Sequence, residues 1–406
     1  MLADLLGVIG SQELRVVLEE HVGGPGQYDG AAENPNRFYL PMADHTCRVV
    51  LTYRGNEIVA VEPSPTLKAG EWEQLNKAIE TSLVSGPQKV GRDFSFSMYR
   101  VLGSWRGARS GVQILPPPDD APRAPVEMAE HPFVLEFPIK ESDVWHLTNH
   151  RRLREHRHLT QLLDVLLCGH TNTLPRQPDH FWAGVPRDNG PPFDIKWVQQ
   201  FFIANLGPIV SDELSPLPTD RLEEVEPEAY YERSGYDGRP LSVPADLDQS
   251  ICLYLLLAPP NRARFNRATF WFDVASRMWN ISVSSSFTSL VTAIESLLEP
   301  PTSHRVHCEQ CDADRWHDVP GATERVRTFF EQYAPGAALT SRRNMIYKLR
   351  GGIVHGGTLM QHDQDRIFGW DPPEWNEREL HNNLWGLTKV ALRNWLKNPP
   401  ASHPDA

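Results

Sequence analysis

Beyond Asp248 the apolar residues return every three or four positions almost to the C-terminus, a period that fits helices packed on helices. "RFNRATFWFDVASRMWN" (Arg264–Asn280) carries aromatic and aliphatic residues at that spacing. "SSSFTSLVTAIESLLEP" (Ser284–Pro300) opens on serines, which cap helices through their hydroxyls, and closes at a proline, which cannot continue one. "GATERVRTFFEQY", "SRRNMIYKLR" and "PPEWNERELHNNLWGLTKVALRNWLKN" predict three more helices. The last third therefore reads as an all-α bundle. Its tryptophans Trp370, Trp375, Trp385 and Trp395 are expected in a core or a dimer interface.

The earlier part has a different texture. "CRVVLTYRGNEIVAVEP" (Cys47–Pro63) is two apolar runs around a turn-forming "RGNE", the pattern of a hairpin. "GEWEQLNKAIETSLV" (Gly70–Val84) has helical spacing at Trp72, Leu75, Ile79 and Leu83. "FSFSMYRVLGSW" and "FVLEFPIK" predict strands, with a proline-rich connector, "PPPDDAPRAP", between them. A leucine-rich helix follows over "LREHRHLTQLLDVLLCG", ending at Gly169. The expected fold class is α+β, with a mixed α/β region over 1–213 and a helical domain over 249–400. Between them, 214–248 is rich in proline and acidic residues and reads as a linker.

Composition narrows the setting. Five cysteines in 406 residues make no disulfide framework, which suits a reducing cytoplasm. No apolar run is long enough to span a bilayer, and the N-terminus lacks the basic start of a secretion signal. A net charge of −12 argues against a surface that coats nucleic acid indiscriminately, though a local basic cleft is compatible with it. Phosphate loops, H-E-x-x-H and G-x-S-x-G elements are absent.

The stretch that carries chemistry is "YKLRGGIVHGG" (Tyr347–Gly357). Arg350 offers a permanent planar cation that can grip two phosphate oxygens, and His355 a group that takes or gives a proton near neutral pH. Together they suit cleavage of RNA by its own 2′-hydroxyl, with His355 moving the proton and Arg350 stabilising charge on the phosphorus oxygens. No metal is needed for that reaction. Residues five apart diverge on a regular helix, so Gly351 is expected to end the helix in the left-handed region directly after Arg350. The two glycines would then bring both side chains to one cleft, or let each face a symmetry mate.

In their order, "SFTSLVTAIESLLEP", "VRTFFEQYAP" and "MIYKLRGGIVHGG" resemble the HEPN superfamily, most closely its ApeA-like branch, from Phe287 to about Trp395. The resemblance rests on an A-x-E-x-L-L element, an F-x-x-Y segment and Y-x-x-R-x-x-x-x-H. It implies a helical homodimer whose paired R-x4-6-H motifs form a composite, metal-independent endoribonuclease site. It also implies a role in defence against phage or as a toxin, with a phage-derived or regulatory protein as trigger. Arg350 and His355 become the catalytic residues. Many active relatives carry a polar residue where this chain has Gly351, so the alternative is a non-cleaving module that binds nucleotide, RNA or a protein.

Glu295 lies on or beside the apolar face of its helix and needs a cationic partner, either Arg350 or another arginine of the bundle. Arg342 and Arg343 are the expected auxiliary phosphate contacts. "SHRVHCEQCDADRWH" (Ser303–His317) holds Cys308 and Cys311 with His304, His307 and His317. Cys308, Cys311, His307 and His317 would make a tetrahedral structural zinc site; reduced, unligated thiols are the other reading. "HLTNHRRLREHRHL" (His146–Leu159) reads as a solvated helix face, with a phosphate track as its alternative.

Overall fold

The computed structural model describes residues 10–22, 27–28, 37–41, 47–65, 67–84, 86–119, 121, 129–173, 180–186, 193–199, 207–232, 238–299, 302–308, 313–336, 340–364 and 372–401. Helices and strands both occur, consistent with the α+β class, but the region expected to be all-α also holds a two-stranded hairpin, Thr302–Cys308 with Ala313–Val319. The chain forms two compact units that are discontinuous in sequence. The first takes residues 1–93, 136–156 and 208–215; the second takes 94–135, 157–207 and 216–406. The contiguous division at 213 is therefore not the one the chain adopts, because two strands (Gln88–Ser97 and His131–Lys140) and one helix (Trp145–Leu166) run through both units. Among the described residues no helix is long and apolar enough to cross a membrane.

In the first unit, an antiparallel sheet runs in the order Gln27–Tyr28, Arg37–Pro41, Cys47–Arg54, Glu57–Pro63. The expected hairpin is there, turning at Gly55, whose φ of 62° favours glycine. Helices α1 (Ser11–Val22) and α2 (Ala69–Val84) lay Leu14, Val17, Leu18, Ile79 and Leu83 against Val49, Leu51 and Ile58. The N-terminal part of α3 (Trp145–Leu166) joins this core through Leu147.

The basic run on α3 is solvated only in part: His146 is exposed, while its central arginines are turned inward. Arg151, Arg152 and His156 are buried. Arg151 donates to Glu13 at 2.9 Å and to the Leu83 carbonyl at 2.8 Å, and Arg154 also pairs with Glu13. The two guanidinium groups hold the Glu13 carboxyl below the usual carboxylate range against the opposing effect of its burial. Helical periodicity cannot separate a solvated arginine from one buried on a carboxylate supplied 138 residues away.

In the second unit, the segment expected to link domains is packed. Strands Glu223–Val225 and Ser242–Pro244 pair in parallel around the short helix α4 (Pro227–Glu232). Leu222, Tyr230, Leu241 and Val243 are buried. The Tyr230 hydroxyl accepts from the Cys168 amide at 2.8 Å and donates to the Ser242 carbonyl at 3.1 Å. Proline and acid content concealed the apolar residues that anchor it.

The helical part of this unit comprises α5 (Leu247–Leu255), α6 (Pro259–Met278), α7 (Val283–Glu295), α8 (Ala322–Tyr333), α9 (Thr340–Val354), α10 (Gln361–Gln364) and α11 (Pro372–Lys397). A tight turn folds α6 back on α7, where Ser282 caps the helix by accepting from the Ser285 amide at 3.1 Å. Phe265, Phe272, Phe287, Leu290, Ile294, Phe330, Leu384 and Trp395 fill the interior, with Trp395 stacked on Phe265 at 5.8 Å. Trp385 is half-buried against Phe272. Trp370 is outside the described residues.

Candidate functional site

Helix α9 does not stop at Gly351. It continues through Gly351 and Gly352 to Val354, and the left-handed residue is Gly356, with φ 72°. The Gly356 amide bonds the Ile353 carbonyl at 3.0 Å, and the Gly357 amide reaches the Gly352 carbonyl at 2.8 Å. That pair of bonds is a Schellman termination, and it makes His355 the last residue before the left-handed turn. Gly352 has a separate reason to lack a side chain. A Cβ there would meet the Thr358 methyl at 2.7 Å, so the returning chain lies directly on the helix. Gly356→Ala should lower stability by about 1–2 kcal/mol through its backbone conformation, read as a drop in Tm; an unchanged Tm would refute this role.

The end of the turn is fixed at a second point. Asp363 caps α7, accepting from the Val283 amide at 2.9 Å, the Ser284 amide at 2.8 Å and the Ser282 hydroxyl at 2.9 Å. These donors hold its carboxyl below the ordinary range despite burial, which acts the other way. The Met360 amide donates to Ser284 Oγ at 2.8 Å. His355 thus sits exposed between two anchored points.

Arg350 is half-buried one turn earlier, and its Nη2 donates to Glu295 Oε2 at 2.9 Å. Glu295 is the last residue of α7, where the negative end of that helix also favours a cation. The expected partnership of Glu295 and Arg350 is the one found. The Tyr347 hydroxyl lies 3.5 Å from the same carboxylate, and its ring centroid is 5.9 Å from the guanidinium carbon. Burial and then the Glu295 charge push the Tyr347 phenol up, with Arg350 and Arg325 opposing. Arg350 Nε is buried and has no hydrogen-bond partner among the described residues.

Because α9 stays regular through the motif, Arg350 and His355 are separated by about 140° around its axis and about 7.5 Å along it. The glycine pair does not bend them together. In one chain these side chains leave the helix on different sides.

Of the two expected phosphate contacts, Arg342 is accessible but paired with Glu379 at 2.7 Å. Arg343 is buried: it donates to the Ala334 carbonyl and lies over the Phe330 ring at 5.8 Å. Arg343 therefore secures α9 to the chain after α8 and is not available to RNA.

The expected zinc ligands lie along a hairpin, Thr302–Cys308 with Ala313–Val319. Its register opposes His304 to His317 and Cys308 to Ala313, which places His317 four ladder steps, about 13 Å, from Cys308. Zinc holds its ligand atoms at about 2.0–2.3 Å, so the register does not bring these two positions to one ion. His307 alternates to the other face from Cys308, and its Nδ1 is 3.2 Å from Asp314 Oδ1. Cys311 lies outside the described residues. Spacing along the chain had brought together positions that the ladder separates.

A serine, a histidine and an aspartate also meet in the core of this unit. Ser276 Oγ and Asp164 Oδ1 both approach Nδ1 of His170, at 3.3 and 3.1 Å. A proton relay needs the two on opposite ring nitrogens, so this is a packing contact and not a nucleophile. The residues that the sequence did not single out are Tyr347, Asp363 and Gly356. Tyr347 was visible as part of the quoted motif, but Asp363 gave no local signal because its partners lie about eighty residues earlier. Compared with known proteins, the chain matches no family profile, no curated protein and no solved structure.

Proposed function

We propose that the chain is a HEPN-type endoribonuclease that cuts RNA without a metal ion, as a homodimer with a composite site. The observation that carries this reading is the placement of the two motif groups. Arg350 is steadied on one edge by Glu295, while His355 stands exposed on a turn fixed at both ends. Their divergence within one chain is what a two-copy site resolves, since each group can then face its counterpart across a two-fold axis. His355 takes the 2′-hydroxyl proton as that oxygen bonds to phosphorus, Arg350 stabilises the negative charge that builds on the phosphorus oxygens, and the proton is returned to the 5′-oxygen as its bond to phosphorus breaks. The products carry a 2′,3′-cyclic phosphate and a 5′-hydroxyl. A cytoplasmic role in phage defence or as a toxin, released by a phage-derived or regulatory protein, accords with the sequence resemblance.

Incubating the purified chain with total RNA in EDTA tests the proposal. Decay that leaves these two end groups supports it, and intact RNA across a range of chain concentrations rejects it. One observation favours a second reading. The Glu295 carboxylate already neutralises Arg350, which suits a non-cleaving module that binds nucleotide, RNA or a protein partner. Intact RNA together with measurable binding would select that reading.

A further inference from the structure

A cavity of 510 Å³ opens two residues beyond Glu295, walled by Leu297 to Glu299, by α8, and by the end of α11 with the residues after it. Its polar groups are of opposite sign. Arg325 donates from Nη1 to the Glu299 carbonyl at 2.7 Å, while its Nε is buried without a hydrogen-bond partner among the described residues. The Glu299 carboxylate is exposed, and its charge acts on the Tyr333 phenol. Phe329 and Tyr333, both largely buried and packed on each other at 4.9 Å, form the apolar floor of the cavity, and Gln332 is an exposed amide on the same helix. The Arg325 charge also reaches Tyr347, so the cavity and the Arg350–Glu295 pair are electrostatic neighbours.

The combination selects among ligands. A bare phosphate would gain from Arg325 but meet the Glu299 carboxylate. A planar base with acceptors on one edge and donors on another satisfies both, and the edges of the two buried rings give it an apolar wall to lie against. Guanine pairs an O6/N7 acceptor edge, which suits an arginine fork, with an N2 amino donor for a carboxylate. The volume is ample for a purine.

We propose that this cavity is a base-specificity pocket that receives a guanine of single-stranded RNA beside the cleavage site, with Arg325 and Glu299 as its specificity-determining residues. The assignment rests on the reading of the chain as an RNA-cleaving enzyme and names the sequence it would prefer. The test uses the full chain carrying His355→Ala, so that bound RNA stays intact. The probes are fluorescent oligouridines with and without one central guanosine, and guanosine, adenosine and cytidine monophosphates as competitors. The guanosine-containing oligomer should bind about tenfold more tightly than oligouridine, a preference that Glu299→Gln and Arg325→Gln each remove. Gln332→Ala, an exposed change on the same wall, should weaken it less and serves if either charge variant melts early.

Equal affinity for both oligomers, a preference for cytidine, or a preference that survives in the folded variants would overturn the pocket. The cleavage reading is judged separately, with His355 intact. If guanine is preferred but that chain cuts no RNA, the pocket stands and the nuclease falls. If RNA is cut with no base preference, the nuclease stands and the pocket falls.

Discussion

His355→Ala should lower metal-independent RNA cleavage by about 10²–10⁴-fold, the usual contribution of a positioned proton carrier. The same change should leave the melting transition in place. His355 is exposed, and the bond that fixes its backbone, from its amide to the Gly351 carbonyl at 3.1 Å, does not involve the side chain. Arg350→Ala should also abolish cleavage, but with a measurable loss of stability, because it leaves the half-buried Glu295 carboxylate without its cation. The two variants therefore separate catalysis from folding. RNA decay continuing at the parent rate in both would trace the activity to something other than this motif.

The second large effect is on acid stability. His381 is buried on α11 among Trp279, Phe287 and Trp385. Its Nε2 is 2.9 Å from Ser286 Oγ, and that hydroxyl donates its own proton to the Ala275 carbonyl at 2.8 Å. Nε2 must then be the protonated nitrogen, which leaves Nδ1 as a buried acceptor with no partner among the described residues. A second proton would place an N–H among aromatic rings with no acceptor among the described residues, and burial pulls the imidazole pKa down from 6.5 to about 4.

Below pH 6.5 the unfolded chain takes up that proton and the folded chain refuses it. Stability is thus complete above this value and declines as the pH falls towards 4. Over that interval the loss amounts to about 3 kcal/mol from this residue. Denaturant midpoints taken at neutral pH and at steps down to pH 4 should show it. His381→Gln should be less stable at neutral pH yet flatter in its pH response. Parallel curves for the parent and the variant would remove His381 as the cause.

Much of this architecture was legible from local pattern. The helices of the bundle, the Cys47–Pro63 hairpin and the Glu295–Arg350 pairing all follow from spacing or from the cost of burying a lone charge. What escaped was set by distant parts of the chain. Arg151 and Arg152 look solvated until α1 and the strand Gln88–Ser97 bring Glu13 and Asp93 to them. The acidic, proline-rich stretch after Leu214 looks like a tether until Tyr230 is seen buried. Cys308 and His317 look like partners until the hairpin register parts them. Gly351 misled differently, because one glycine after an arginine resembles a helix end, and only the bonds around Gly356 show where the end is.

Gly351 has one more implication. It lies inside a helix, where glycine costs about 1 kcal/mol relative to alanine, and none of the described residues beyond the helix's own backbone stands within 4 Å of where a methyl group would go. Adding that methyl should raise the melting temperature, so on the isolated chain the glycine is a pure loss. A Gly351→Ala protein that melts higher yet processes RNA more slowly would show that the bare backbone beside Arg350 is kept clear for a visitor. A protein that gains stability without any such penalty would show that nothing lands there.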